Sequence, residues 1–281
     1  GTLTITRDGY KIDMGTIENA DLTLQTTAKD EASNTHYAAT DDAVTLVDTV
    51  SYTGLKKGKT YTLKGKLMNQ KTGEALLDAD GKEITSEKKF TPKTAEGSTE
   101  VEFDFDASKL AGCDVTVFEY CYLDDTLITS HEDINDQDQT VHFPSIGTTA
   151  KDSTTDTNIS KADGKISIVD TVKYTNLKVG KKYKVTGKLM DQATEKVVKD
   201  ADGNEVTAET TFVAKESNGS VKVTFTFDGS KLAGKTVVAF EDIYQNGKLY
   251  ASHADINDEG QTIHIPKIGT TAKDSKTKED I

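Results

Sequence analysis

The chain repeats itself once, at an offset of 122 residues. His131-Glu-Asp-Ile-Asn-Asp-Gln-Asp-Gln-Thr140 returns as His253-Ala-Asp-Ile-Asn-Asp-Glu-Gly-Gln-Thr262, with seven of ten positions identical. Asp48–Met68 returns as Asp170–Met190, with 14 of 21 identical. A period of this length far exceeds the roughly 20–50 residues of solenoids and propellers. Each copy must therefore bury a core of its own, and 281 residues suit two domains of ordinary size. The expected layout is a linker or leader over residues 1–20 and domains over 21–144 and 145–266. Ile268-Gly-Thr-Thr-Ala-Lys-Asp274 repeats Ile146–Asp152, so residues 267–281 read as the truncated start of a further repeat in a longer protein.

Within each copy the period is two. Ile166, Ile168, Val172 and Tyr174 alternate with polar residues, as do Val221, Val223, Phe225 and Phe227. Asp78-Ala-Asp-Gly81 and Asp200-Ala-Asp-Gly203 read as hairpin turns. Many short strands without a long amphipathic helix predict an all-β chain: two tandem immunoglobulin-like β-sandwich domains. Short junctions near Pro144 and Pro266 predict a stiff, elongated, monomeric rod. There is no Trp, and Cys113 and Cys121 align with Lys235 and Ile243. Eight residues apart on one strand they are too distant to bridge, so no disulfide is expected.

A net charge of −13 argues against a nucleic-acid surface, which concentrates Lys and Arg. The sequence holds no run of 18 apolar residues, so no membrane-inserted helix is expected.

Side chains two apart on a strand share a face, and the apolar faces here carry polar intruders. Thr26 lies in line with Leu24 and Ala28, and Thr148 with Ile146 and Ala150. Asp48 lies among Val44, Leu46 and Val50, and Asp170 among Ile166, Ile168 and Val172. Glu119 and Glu241 follow Val117 and Ala239; Gln139 and Gln261 head final strands through Val141 and Ile263. His131 and His253 sit at the mouths of those strands, while His142 and His264 face outward as surface residues.

Each domain is thus expected to bury one Thr, one Asp, one Glu and one Gln. Two neighbouring buried carboxyls share a proton, and the neutral one can polarise a carbonyl. A Thr hydroxyl beside a His is an activatable nucleophile. The inward Gln is then the substrate: Thr26 attacks the amide of Gln139, Thr148 that of Gln261, and ammonia leaves. His131 and His253 are assigned proton relay; Asp48/Glu119 and Asp170/Glu241 are assigned activation of the carbonyl. Effective molarities of about 10⁵ M or more make this attack feasible for reactants fixed by a fold. The resulting ester would tie first strand to last, with stabilisation of roughly 4–5 kcal/mol by analogy with disulfides closing similar loops.

These residues resemble the Thr–Gln ester-bond domains, also described as VaFE-type repeats, in the shafts of Gram-positive surface adhesins. The carriers are Thr26-Thr27 and Thr148-Thr149, Asp48–Tyr52 and Asp170–Tyr174, Phe118-Glu119 and Phe240-Glu241, and His-x-Asp-x-Asn-Asp-x-x-Gln in both copies. The resemblance covers residues 20–266 and implies an internal ester at the first Thr of each pair, assisted by the Asp, Glu and His. It further implies an extracellular, wall-anchored shaft whose neighbours are repeats of the same polypeptide. Host ligand would be met only through a tip domain outside this sequence.

Four other readings compete. An isopeptide shaft needs an inward Lys in place of the Thr, and none repeats there. A calcium loop over Asp133–Asp138 loses its pattern at Glu259-Gly260 and lacks EF-hand spacing, and convergent metal ligands are missing. A hydrolase needs an open cleft, but these positions lie on core faces already occupied by a Gln. A ligand-binding adhesin module fits tandem near-copies less well than stalk spacing does. Neither metal nor cofactor is expected, and Thr270, with no Gln after it, is expected to stay unlinked.

Overall fold

The computed structural model describes residues 22–280 in full and the backbone alone of residues 2–7 and 10–16. That backbone forms strands β1 (Thr2–Arg7) and β2 (Tyr10–Thr16), an antiparallel pair. The rest of the linker or leader expected over residues 1–20 lies outside the described residues.

The chain divides into two compact units, Gly1–Phe143 and Pro144–Ile281. In the first, one sheet joins β3 (Thr23–Asp30), β4 (Val44–Thr53) and β7 (Gly97–Phe105) in the order β3-β4-β7. The second sheet contains β5 (Tyr61–Asn69), β6 (Thr85–Phe90), β8 (Asp114–Leu123), β9 (Thr126–His131) and β10 (Thr140–His142). Its centre is the β5–β8 pair, with β6 outside β5 and both β9 and β10 along the far side of β8. All pairings are antiparallel.

The second unit repeats this plan. One sheet is β11 (Ser145–Asp152), β12 (Ile166–Thr175) and β16 (Gly219–Phe227). The other holds β13 (Lys182–Asp191), β14 (Lys196–Val197), β15 (Thr207–Val213), β17 (Lys235–Gln245), β18 (Lys248–His253) and β19 (Thr262–Ile265). The architecture is two tandem β-sandwiches, as the period-two pattern requires.

Each sandwich has its own core. Leu46, Leu63, Leu67, Phe103 and Val117 are fully buried in the first; Ile168, Leu189, Phe225, Val237 and Ile243 are their counterparts in kind in the second. Burying a side chain of this size contributes about 1.5–3 kcal/mol. Strand alternation supplies these residues directly, since β4 buries every second residue from Val44 to Tyr52.

One irregularity positions everything that follows. Strand β8 pairs with β10 through Asp114–Thr116, then with β9 from Glu119 onward. Strand β17 makes the same exchange, from β19 at Lys235–Val238 to β18 at Glu241. Where the partner changes, the sheet edge opens, and the loop leading into the last strand sends a side chain inward. Across the gap lies β3, the edge of the opposite sheet, whose Ala28 N–H donates to Asp138 O at 2.9 Å.

Candidate functional site

Thr26 and Asp48 reach the interior from neighbouring strands. Thr26 is opposite Val50 and Asp48 opposite Ala28, so the two are diagonal neighbours on the buried face. Glu119 enters from the other sheet, and His131 is its cross-strand partner. Thr148, Asp170, Glu241 and His253 occupy the same registers in the second domain. The structure therefore brings together all the positions that the strand faces single out.

Gln139 and Gln261 arrive differently from expectation. Neither belongs to the final strand: Gln139 precedes β10, and Gln261 ends a single 3₁₀ turn, Glu259–Gln261. Strict alternation also fails here, because Thr140 and Val141 are both buried. The glutamines are nevertheless completely enclosed at 0% exposure, steered by the loop and not by the strand.

In both domains the Gln side-chain N–H donates to the Thr hydroxyl, Gln139 to Thr26 and Gln261 to Thr148. In the second domain Glu241 Oε2 also accepts from Gln261 Nε2 at 2.7 Å and from Thr148 Oγ1 at 3.2 Å. The amide oxygens Gln139 Oε1 and Gln261 Oε1 are buried without a donor. An unsatisfied buried acceptor of this kind costs about 1–3 kcal/mol, which places a demand on the groups around it.

The carboxyls make the complementary demand. As carboxylates, the oxygens of Asp48 and Glu119 find no donor in this enclosure. A proton on one supplies the donor for the other. Burial drives Glu119 up to about 9, and the adjacent Asp48 charge adds to the effect. Burial also raises Asp48, to about 7, with His131 pulling it back. In the second domain burial and the hydrogen bond to Asp170 raise Glu241 to about 11, and burial raises Asp170. Burial and the neighbouring carboxyl push both Glu119 and Glu241 up, which favours a shared proton in each pair.

The histidines are held in place from outside. His131 Nε2 meets Asp136 Oδ2 at 2.8 Å and Nδ1 meets Leu24 O at 3.2 Å; His253 Nε2 meets Asp258 Oδ2 at 2.8 Å. Both ring nitrogens of His131 are thus engaged away from the Thr26 hydroxyl. The His253 hydrogen bond holds the Asp258 carboxyl below its usual range. Asp136 and Asp258 were not singled out by the strand faces, since they lie in a polar loop. The available signal was their retention five residues after His in both copies.

Acidic side chains of that loop also cap its turns. Asp133 caps Asn135 N–H at 2.9 Å, Asp136 caps Asp138 N–H at 2.8 Å and Asp258 caps Gly260 N–H at 2.7 Å. Among the described residues no three His, Cys, Asp or Glu side chains converge as a metal site would require. His142 corrects its expected place on an open surface. It is half-buried, with Nδ1 at 2.8 Å from Asp114 Oδ1 and its ring centroid 4.9 Å from that of Tyr37, because the segment His36–Ala38 docks alongside β10. His264 is exposed as expected. Cys113 and Cys121 are not joined in a disulfide.

The sequence model of the T-Q ester bond containing domain matches residues 22–143 and again residues 144–265. The chain belongs to this family. Among solved structures, the ester-bond domains resemble a bacterial adhesin from Mobiluncus mulieris containing intramolecular disulfide, isopeptide and ester bond cross-links. That likeness has 13% identity, covers 78% of this chain and 79% of the other, and has a TM-score of 0.36. The C-terminal domain of the Streptococcus pyogenes antigen I/II-family protein AspA matches at 10% identity over 86% and 99% of the two chains, with a TM-score of 0.41. A glycosyl hydrolase family 2 member from Bacteroides cellulosilyticus matches at 11% identity over 81% of this chain and 28% of its own, with a TM-score of 0.32. Likenesses this weak carry no inference about activity. No curated protein sequence matches.

Proposed function

We propose that each domain closes an internal ester, Thr26 to Gln139 and Thr148 to Gln261, once and without a cofactor. The observation that carries this is the buried Gln amide laid against the Thr hydroxyl in both domains, beside a carboxyl pair that retains a proton. The Thr oxygen attacks the Gln side-chain carbon, the carbon–nitrogen bond breaks, and the hydroxyl proton leaves with the nitrogen as ammonia. Nothing else is consumed. Asp48 and Asp170 are assigned as the bases that receive the Thr proton, since His131 and His253 draw them toward their ionised forms. Glu119 and Glu241 are the acids that stabilise the developing oxyanion.

Amide oxygen and nitrogen differ only by a half-turn of the side chain. With the Gln261 amide turned over, its oxygen occupies the position 2.7 Å from Glu241 Oε2, and a protonated Glu241 then donates to it. His131 and His253 serve by position and charge. His131 draws Asp48 toward its ionised form, and His253 acts likewise on Asp170. The His131 and Asp136 side chains keep 21% and 24% of their surface exposed, whereas the reactants are sealed, so they mark the path by which protons and ammonia leave.

The wider role proposed is that of a stalk module in an extracellular, wall-anchored surface adhesin, contacting neighbouring repeats of the same polypeptide. It is structural, and its chemistry is a single event per domain. The family membership and the location of the proposed bond near both ends of each domain support this. An isopeptide reading lacks its amine, since none of the side chains gathered at either site is a lysine.

Intact mass spectrometry of the folded chain tests the proposal. The expected mass is short by two ammonia molecules. Thr148→Ala is expected to be short by one, and hydroxylamine is expected to open the remaining bond. A wild-type chain at full mass overturns the proposal, and a third loss contradicts the assignment of Thr270 as unlinked.

A further inference from the structure

Strand interiors disfavour glycine, which packs nothing and costs backbone entropy, so an interior glycine marks a close approach. Gly65 sits in the middle of β5 directly across from Glu119, and Gly187 in the middle of β13 across from Glu241. Neither has positive φ, so the backbone does not demand glycine at these positions. The space does. A Cβ on Gly65 would come closer than 3.0 Å to both the ring tip of Phe103 and Glu119 Oε1, with Glu119 Cδ at 3.0 Å. A Cβ on Gly187 would lie 2.6 Å from Phe225 Cζ but 3.5 Å from Glu241 Oε1, an ordinary contact.

From this geometry we infer that Gly65 and Gly187 are positioning residues for ester formation: the missing side chain is the seat that admits the glutamic acid carboxyl beneath the sheet. One oxygen of the carboxyl rests over the glycine. In the second domain the other, Oε2, meets both Gln261 and Thr148. A side chain at position 65 drives the Glu119 carboxyl off this seat and away from the amide it must reach. The two domains differ in how strict the requirement is. Gly65 faces Glu119 with no clearance, whereas a Cβ on Gly187 would clear Glu241 and clash only with Phe225. The inference rests on the ester reading, and wild-type mass separates failure of the one from failure of the other.

Because both glycines also face a phenylalanine, the test removes that second clash. Phe103→Leu alone is expected to lose two ammonia molecules, as wild type does. Gly65→Ala with Phe103→Leu is expected to lose only the one from the second domain while both domains still unfold cooperatively. The matching pair in the second domain, Gly187→Ala with Phe225→Leu, is expected to lose both. Should the first-domain pair not fold, the second domain decides. Gly187→Val with Phe225→Ala, which adds two carbons beyond a Cβ already in contact with Glu241 Oε1, is expected to lose only one. Two losses at the wild-type rate in Gly65→Ala with Phe103→Leu, or in Gly187→Val with Phe225→Ala, overturn the inference.

Discussion

Replacing Thr26 by Val keeps the shape of a buried side chain and removes the nucleophile. Thr26 and Gln139 are 113 positions apart, so the proposed ester between them closes a loop of that length. Loop-closure entropy grows with the logarithm of loop length, and for a loop near 100 residues it amounts to about 5 kcal/mol at room temperature. The variant also forfeits the local hydroxyl hydrogen bond, worth about 1 kcal/mol. The first domain should therefore lose about 6 kcal/mol, which for a domain of this size lowers its Tm by on the order of 15–25 °C. Gln139→Met should do the same by a different local change. The decisive quantity is the double variant. Since either substitution alone abolishes the bond, the pair should lose scarcely more than each single, giving a coupling energy of about 5 kcal/mol. Calorimetry reads this directly, with the unaltered second domain as internal reference and mass spectrometry confirming one retained ammonia. Additive losses, or a bond-free first domain melting within a few degrees of wild type, would refute the loop-closure reasoning.

Three further outcomes follow from the site. In the Thr26→Val background the stability of the first domain should fall as pH rises. Folding raises Glu119 from 4.5 to about 9, so its contribution is complete below about 4.5 and is lost on the way to 9. The slope is about 1.4 kcal/mol per pH unit for each proton retained, read from urea midpoints, and Glu119→Gln should flatten it. Glu241→Gln should leave the second domain folded with its ammonia retained, because the neutral amide fits the same space but is not an acid; loss at the wild-type rate would remove Glu241 from the chemistry. Asp258→Asn keeps an acceptor for Gly260 N–H yet removes the carboxylate that meets His253 Nε2. It should slow ammonia loss several-fold in the second domain alone, in a time course of refolding followed by mass.

Much of the site was legible because its strands are regular. In β3, β4 and β8 the face rule places Thr26, Asp48 and Glu119 inward, and the buried positions bear this out. Gln139 was legible from its repetition but not from its element, since a loop and not a strand turns it inward. Asp136 was hidden by its setting among Asp133, Asn135 and Asp138, where its carboxylate engages a histidine while that of Asp133 caps a turn. Gly65 was hidden because a side chain that is absent has no pattern, although glycine inside two copies of one strand was a signal. His142 shows the limit of the face rule. Alternation points it outward, but the segment after β3 returns to cover it with Tyr37 and His36, a contact made between residues more than 100 positions apart.

The placement of the proposed bond decides what tension can do to each domain. The family match for the first domain runs from residue 22 to residue 143, with Thr26 four residues inside one end (26 − 22) and Gln139 four inside the other (143 − 139). The second domain is the same: Thr148 follows residue 144 by four, and Gln261 precedes residue 265 by four. With the proposed ester in place, force entering through β3 or β11 crosses directly to the Gln just before the last strand and does not load the 112 residues between. Without the bond, pulling would first peel β3 from β4 and then release the whole enclosed loop. At about 3.5 Å per residue that is roughly 400 Å of contour for each domain. Single-molecule pulling should accordingly show no extension step of this size in wild type, one in Thr26→Val and two in Thr26→Val with Thr148→Val. A wild-type chain that yields 400 Å steps at forces below those that break covalent bonds would mean that the load does not pass through Thr26 and Gln139.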